Sequence, residues 1–590
     1  MEPMTIREIM DAVGGKLLGE FGDINRMVGR VETDSRTIHA GSLFVPLVGE
    51  RFDGHAYINA ALEGGAAGCF TQRERESYLP GKFYIKVDST QRALRDLAKY
   101  YKKKFPIPVV ALTGSVGKTT TKDMVAAVLG EKYRVLKTEG NLNNEIGVPM
   151  TLLRLSGEHE IAVLELGMNH AGEIDYLSAL VEPDVVLMTN IGDSHIEHFG
   201  SREKILEAKS EIFHHVKSGA FVVINGDDPL LNTLPGKLPY AFTRVGAGEG
   251  LDYRAERLVS DGKSHMTCEV KTPHNSFPVE IPALGDHMIY PTLMAAAVGE
   301  HFGLTQTQIA DGVLHFAPTK MRMNLLHRGD DITILNDTYN ANPQSMRAAV
   351  EVLSSARGAY KVAVLGDMFE LGPLAPALHA GVGDYLGKAG IDCLVAVGEL
   401  ARHIHDAAQA AGVPVIFFNR EPVEEDLDRW EKAYYVGTPA EEAGRLQGGI
   451  VLDAWKKDPA ALDKNGDGIL QYVMLEGEPG HQDALLRTEY SVKTLMTAGV
   501  TTEKLDNYNA DWQRGLATVR MQQWLEEFGE RIELVFANND DMALGAIDAC
   551  LEAGMTQEEM PFIVGVDATP PALEALAEGT LQGTVCNDAA

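Results

Sequence analysis

The feature that most constrains this chain is the octapeptide TGSVGKTT at residues 113–120. It stands directly after the apolar run at 109–112 and directly before a helix-like stretch at 122–129. A strand, a glycine turn, Lys-Thr and a helix in that order form a cradle for a triphosphate. Backbone N–H groups of the turn and helix N-terminus face phosphate oxygens, the lysine supplies a point charge, and a threonine hydroxyl reaches Mg²⁺. This assigns Gly114, Ser115, Gly117, Lys118, Thr119 and Thr120 to a nucleotide site. The spacing is shorter than the usual Walker motif, so an ordinary strand-to-helix turn with a surface lysine competes with this reading until downstream residues are considered.

At 590 residues the chain exceeds what one core can organise, and its length predicts about three to five domains. A net charge of -31 argues against a nucleic-acid or anionic-membrane partner, because phosphate-rich surfaces need a basic face. The five cysteines are widely separated and lack the paired spacing of a zinc site or disulfide framework. The first residues, MEPMTIREIM, carry no basic segment followed by an apolar stretch, and no apolar run is long enough to span a membrane, which predicts a cytoplasmic chain.

Apolar runs then alternate with helical stretches: VVALTG, IAVLELG at 161–167, DVVLMTNIG at 184–192 and AFVVINGDD at 220–228. The pattern predicts an α/β protein whose P-loop domain holds a parallel, doubly wound sheet. The first hundred residues read as a small α/β domain. Glu165 ends one predicted strand and His195 follows the next, at the carboxyl ends where open α/β sheets gather ligands. With Thr119 they are reasonable partners for Mg²⁺ bridging phosphates. Taken alone, His195 reads first as a hydrogen-bonded loop histidine, and Lys209, on a predicted helix amid acidic residues, first as a solvated surface lysine.

Nine motifs in order go further: TDSR at 33–36, GERFDGH at 49–55, TGSVGKTTTK at 113–122, GNLNNEIGVP at 140–149, ELGMNHAGEI at 165–174, TNIGDSHIEHFGS at 189–201, AKSEIF at 208–213, NDTYNANPQSM at 336–346 and LGDMFELG at 365–372. With these the chain, to about residue 412, resembles the Mur ligase family. The resemblance implies an ATP- and Mg²⁺-dependent peptide ligase that joins D-alanyl-D-alanine to UDP-N-acetylmuramoyl-tripeptide through an acyl phosphate, in peptidoglycan precursor synthesis. It implies that Ser35 and Arg36 bind the uridine nucleotide and that Asn141, Asn143 and Asn144 line the substrate cleft. Glu165 and His195 would hold Mg²⁺, and Lys209 would be carbamylated. Lys118, His195 and Lys209 then form the catalytic set, and Arg322, Asp337 and Asn340 reach the nucleotide from a third domain. The sequence departs from the family at HMIYP, where Pro291 stands in place of an asparagine near the adenine.

A larger departure follows Gly412, where the family's closing segment, with its Lys-Gly-Ser-Arg stretch, is missing. Instead VIFFNREP at 415–422, AYYVGT, LDKNGDGILQ, LEGEPGHQDALLR, FANNDDMALGA and VGVDATPPAL resemble one lobe of a periplasmic galactose/glucose-binding protein. Asp463, Asn465 and Asp467 alternate oxygen ligands, Gly468 sits at the sharp turn, the carbonyl of Ile469 follows, and then Gln471, as in a Ca²⁺ loop. Met474 stands where an EF-hand needs glutamate, and the resemblance implies Glu533 as the remaining ligand. A polar turn without metal is the alternative. The resemblance also places His481, Asp483, Arg487, Trp512, Asn539 and Asp567 at sugar-contacting positions, although a single lobe is expected to bind sugar weakly or not at all. The expected organisation is a UDP-substrate domain at 1–105, an ATP-binding domain at 106–321, an incomplete ligase C-terminal domain at 322–414 and a sugar-binding-protein-like lobe at 415–590. The expected activity is a ligase weakened by loss of its closing segment. A galactose/glucose-binding module with a calcium site, or an inactive fusion, is the alternative.

Overall fold

The computed structural model describes residues 1–19, 22–49, 52–75, 77–329, 332–418, 431–436 and 439–586. Glu50 and Arg51 of GERFDGH, residues 419–422 of VIFFNREP and residues 437–438 of AYYVGT lie outside the described residues. The chain divides into two compact units, the first comprising Met1–Ala363, Asp367–Ile391 and Asp406–Ala411, the second Val364–Gly366, Asp392–His405 and Gly412–Ala590.

In the first unit a five-stranded sheet opens the chain, ordered Lys16–Leu18, Phe83–Lys86, Gly68–Thr71, Leu43–Phe44, Val31–Glu32. The helix Thr90–Lys102 that follows buries Leu94, Leu97 and Tyr101. Next comes a nine-stranded sheet. Its order runs Val135–Lys137, Ile161–Glu165, Val109–Thr113, Val185–Met188, Phe221–Asn225, Phe242–Gly246, Tyr253–Ser260, Met266–Lys271, Ser276–Ile281. The first seven strands are parallel and the last two turn antiparallel. The strand Val109–Thr113 is buried at every residue, as a central parallel strand covered on both faces must be. The chain leaves Val109–Thr113 toward Val135–Lys137 at one edge of the sheet and leaves the adjacent Val185–Met188 toward Phe221–Asn225 on the other side, so the crevice at their carboxyl ends is the switch point where such sheets bind ligands.

One face of this sheet is closed by the helix Lys118–Gly130 and the helix Ile289–His301. The latter is apolar on nearly all sides and buries ten residues from Ile289 to Gly299. Beyond it, an antiparallel pair Asn324–Arg328 and Ile332–Asn336 leads to the helix Pro343–Ser355. Asn342 caps that helix by accepting from the N–H groups of Gln344 and Ser345, and proline at its first position has the backbone angle a helix start requires.

In the second unit the strands Cys393–Val397, Val415–Phe418 and Ala433–Val436 pair in parallel, so one sheet continues across residue 415, where the sequence changes character. A second, five-stranded parallel sheet follows in the order Thr502–Asn509, Leu470–Glu476, Leu534–Ala537, Phe562–Val566, Gly583–Val585. Its core packs Trp524, Met521 and Ala517 against Val473, Val535 and Ile563. Among the described residues no helix is long and apolar enough to cross a membrane.

Candidate functional site

The P-loop turn is shaped by contacts that only glycine permits. Gly114 has φ +156, and a Cβ there would sit 1.9 Å from the hydroxyl oxygen of Thr189. Gly117, at φ +78, hands the chain to the helix Lys118–Gly130, whose N-terminus has no side-chain cap. The N–H groups of Ser115 and Val116 donate to the backbone oxygen and the Oδ1 of Asn190, at 2.9 Å each. The Ser115 hydroxyl accepts from the N–H of Gly192 at 2.8 Å. The turn is therefore pinned from behind by the 189–192 loop, while the uncapped N–H groups of the helix face forward, where their partial positive charge favours an anion.

Lys118 bends over this turn, its Nζ donating to the carbonyls of Gly114 at 2.9 Å and Ser115 at 3.3 Å. Burial lowers its pKa, Glu165 opposes that, and Arg322 adds to it. Thr119 donates its hydroxyl to Glu165 Oε2 at 3.0 Å, and Asn143 donates from its amide to Oε1 at 2.8 Å. Glu165 is thus held at the end of its strand by two neighbours, as its sequence position anticipates.

Lys209 lies on the helix Arg202–Ser210 and is 1% exposed, which overturns the solvated reading of that residue. Burial drives its pKa well below the usual lysine range, Lys118 pushes it further down, and Glu165 pulls in the other direction. The same burial disfavours its charged form. His195 caps a short helix in the left-handed region, at φ +63. Its Nδ1 approaches Glu370 Oε2 at 2.5 Å, close enough for an ion pair but without hydrogen-bond alignment. Burial lowers its pKa against the pull of Glu370, and the Lys209 and Lys118 charges lower it further.

Arg322 stacks on Tyr339, its guanidinium carbon 4.0 Å from the ring centroid. Asp337 accepts from the N–H of Met323 at 3.2 Å, and burial lifts its pKa to about 6. Both line one pocket with Asn340, Gly117, Thr119 and Thr120, so all three predicted third-domain nucleotide residues meet the P-loop. Its remaining wall includes His287, Met288 and Phe316, which sequence reasoning missed. Pro291 does not line the pocket and is buried at the third position of the helix Ile289–His301.

The predicted substrate residues are dispersed. Asn143 reaches Glu165, but Asn144 spends its Oδ1 on the N–H groups of Ile146 and Gly147, capping the helix Gly147–Leu152. Asn141 is exposed on the turn before it. Ser35 and Arg36 form a 3₁₀ turn in which the Arg36 guanidinium embraces Asp34, holding that carboxyl down at about 2. Elsewhere in the N-terminal domain, Asp53 and His55 of the GERFDGH motif line a pocket with Arg73 and Arg75. His55 Nδ1 sits 2.7 Å from Asp53.

In the second unit, Asp463 accepts from the N–H groups of Gly466, Asp467 and Gly468, and Asp467 accepts from Ile469 N–H and the Gln471 amide. Asn465 donates to Gln471 Oε1 at 2.9 Å. Glu533, fully buried, accepts from the N–H groups of Lys464, Asn465 and Gln471. The six predicted loop residues are therefore one assembly. Among the described residues, however, no three His, Cys, Asp or Glu side chains converge as a metal cluster, here or at the P-loop.

The six predicted sugar-contacting residues also assemble. His481 meets Trp512 edge to face, with ring centroids 5.1 Å apart. Arg487 pairs with Asp483 at 3.2 Å and approaches Asp567 at 3.8 Å. Asn539 donates to the Trp512 carbonyl. Asp511, Trp512, Asp567 and Ala568 all have positive φ, a clustering of backbone strain that marks functional loops.

The P-loop, the acidic and basic groups at the switch point and the third-domain residues that close over it describe an ATP-dependent ligase of the α/β class. Family models agree along the chain. The Mur ligase family catalytic domain matches residues 28–102, the Mur ligase middle domain 112–299 and the Mur ligase glutamate ligase domain 321–434. A periplasmic binding protein domain matches 391–590. The chain is 40% identical over 406 residues to the UDP-N-acetylmuramoyl-tripeptide–D-alanyl-D-alanine ligase of Bacillus subtilis (strain 168), covering 68% of this chain and 87% of that protein. The enzyme of the same name from Escherichia coli (strain K12) is 37% identical over 417 residues, covering 70% and 89%. Crystal structure I of MurF from Acinetobacter baumannii superposes with a TM-score of 0.66 at 32% identity, covering 78% of this chain and 93% of that one. MurF ligase from Thermotoga maritima in complex with ADP gives 0.59 at 29%, covering 69% and 93%. The chain belongs to the Mur ligase family, joined to a periplasmic-binding-protein domain.

Proposed function

We propose that this chain is a cytoplasmic ATP-dependent ligase that adds D-alanyl-D-alanine to UDP-N-acetylmuramoyl-tripeptide. One observation carries the reading: the uncapped P-loop helix, Lys118, the Thr119–Glu165 pair and the buried Lys209 share one neighbourhood, with Arg322 and Asp337 closing over it. Three segments fit the parts of such an enzyme: 1–105 for the UDP-linked substrate, 106–321 for ATP and 322–414 for closure. The lobe at 415–590 is an added module. Arg73 and Arg75 beside Asp53 and His55 supply paired guanidiniums suited to a diphosphate.

The Thr119 hydroxyl and the Glu165 carboxylate are hard oxygen donors 3.0 Å apart, a donor set that suits Mg²⁺, with His195 the further candidate. Mg²⁺, when bound there, neutralises charge on the phosphates. Lys209 is suited to carbamylation: a neutral amine attacks CO₂, a proton leaves, and the product is an anion where a lysine cation would be repelled by Lys118. Lys118 lies where it can exchange its loop carbonyls for phosphate oxygens. The tripeptide carboxylate takes the terminal phosphoryl group of ATP, the dipeptide amine attacks the resulting acyl phosphate, and phosphate leaves. The chain's contribution is to position these groups, stabilise charge and exclude water.

Two observations favour a second role for the lobe. Among the described residues the buried Asp483 Oδ1 and Arg487 Nε find no hydrogen-bond partner, as in a site shaped for a polar ligand. The loop at 463–471 and Glu533 form one hydrogen-bonded assembly of oxygen-bearing side chains, which supports the reading of a Ca²⁺ loop. Glucose or galactose would meet only one half of a sandwich, so binding is weak or absent. The test of the main reading is ADP release by the full chain with and without each of the two substrates. Release that needs both supports it, and release indifferent to either contradicts it.

A further inference from the structure

The strained loop that carries His195 is gripped at two points by the third ligase segment. At one, Gln344 on the helix Pro343–Ser355 clasps Asp193: its Nε2 donates to Asp193 Oδ2 at 3.1 Å, and its Oε1 accepts from the Asp193 N–H at 3.2 Å. Asp193 is fixed in turn by Arg202, whose Nε and Nη2 donate at 2.6 and 2.7 Å. The neighbouring residue must be small, because a Cβ on Gly192 would lie 2.4 Å from Gln344 Oε1. At the other point, Glu370 approaches His195 Nδ1 at 2.5 Å, and its own carbonyl accepts from the N–H of Glu197 at 3.2 Å. His195 at φ +63 and Glu370 at φ +60 are both non-glycine residues in the left-handed region. Such conformations persist only where surrounding contacts over-determine them. Here they face each other, each held by the other's segment.

We infer that Gln344 and Glu370 are positioning residues that hold His195 with Nδ1 turned to Glu370 and Nε2 left to face the nucleotide site. A carboxylate against one imidazole nitrogen fixes the ring so that the other nitrogen serves as ligand. Attachment of the third segment would thereby complete the metal side of the site, rather than only cover it. The inference rests on the ligase reading above.

The test uses the full chain and the Mg²⁺ complex of β,γ-imido-ATP, titrated by calorimetry with Mg²⁺ and in EDTA, alongside the Mg²⁺ dependence of turnover. Glu370→Gln and Gln344→Ala are expected to raise the Mg²⁺ concentration for half-maximal binding and turnover about tenfold. Metal-free nucleotide binding should not change. Gly192→Ala should reproduce Gln344→Ala, and the double variant should be no worse than either single one, because both act on one contact. Metal-free binding reports that each variant is folded, a role that mere destabilisation would not spare. An unchanged Mg²⁺ requirement, equal loss with and without metal, or additive effects of Gly192→Ala and Gln344→Ala would overturn the positioning role alone. A parent chain without Mg²⁺-dependent nucleotide binding would overturn the ligase reading, and this role with it.

Discussion

Lys118 and Lys209 share one anionic neighbour, Glu165; burial lowers the pKa of both, and Lys118 lowers that of Lys209 further. Replacing Lys118 with alanine removes the cation proposed to meet the β/γ-phosphates, and ATP turnover should fall at least about a hundredfold with thermal unfolding little changed. Steady-state phosphate release within about threefold of the parent would refute the assignment. For Lys209→Ala, activity should be lost and partly restored by added formate, which can supply the missing anion; intact-mass spectra of the active parent should show the added CO₂. Asp337 gives a pH test. Its pKa rises from 3.8 unfolded to about 6 folded, so the folded state holds its proton longer. The favourable contribution is present below pH 4 and is lost as pH rises toward 6. At about 1.4 kcal/mol per unit this is on the order of 3 kcal/mol at most, and less because the side chain is partly exposed. Asp337→Asn should flatten that part of the stability profile in urea titrations between pH 4 and 7. An identical slope would show that Asp337 titrates normally.

Among the elements, the central strand Val109–Thr113 and the helix Lys118–Gly130 were legible because an unbroken apolar run and a glycine turn each have one good structural solution. Their interlock is the expected weak point. Leu112 is fully buried in one hydrophobic cluster with Met124 and Val125, and Leu112→Ala should cost about 2 to 5 kcal/mol by leaving a cavity. Chemical denaturation showing under about 1 kcal/mol would mean that this core collapses around the gap. Other parts of the site were not legible. A run such as REKILEAKS reads as a surface helix, and nothing in its charges reveals that Lys209 faces inward. Asn144 was indistinguishable from Asn143 by composition, yet one caps a helix and the other reaches Glu165. Gln344 and Glu370 lie within the motifs NDTYNANPQSM and LGDMFELG, but the motifs gave neither a role, because their roles depend on packing against residues more than 150 positions away.

At the scale of the whole molecule, the sheet built from Cys393–Val397, Val415–Phe418 and Ala433–Val436 crosses the point where a ligase-like sequence gives way to a binding-protein-like one. That crossing matches the overlap of the two family models at 391–434, a continuity the motif order alone did not reveal. The calcium site proposed at 463–471 should act on its own unit: calcium at about a hundred times its Kd should add about 2.7 kcal/mol to the lobe, visible as one shifted calorimetric transition that Asp463→Ala abolishes. No shift on adding calcium to EDTA-treated protein would remove the metal from that loop. The measurement that bears most directly on the whole account is ADP release by the full chain, with UDP-N-acetylmuramoyl-tripeptide and D-alanyl-D-alanine supplied singly and together. The account predicts sustained, Mg²⁺-dependent release only with both substrates, lost in Lys118→Ala. Release that is absent with both, or equal without either, would contradict it.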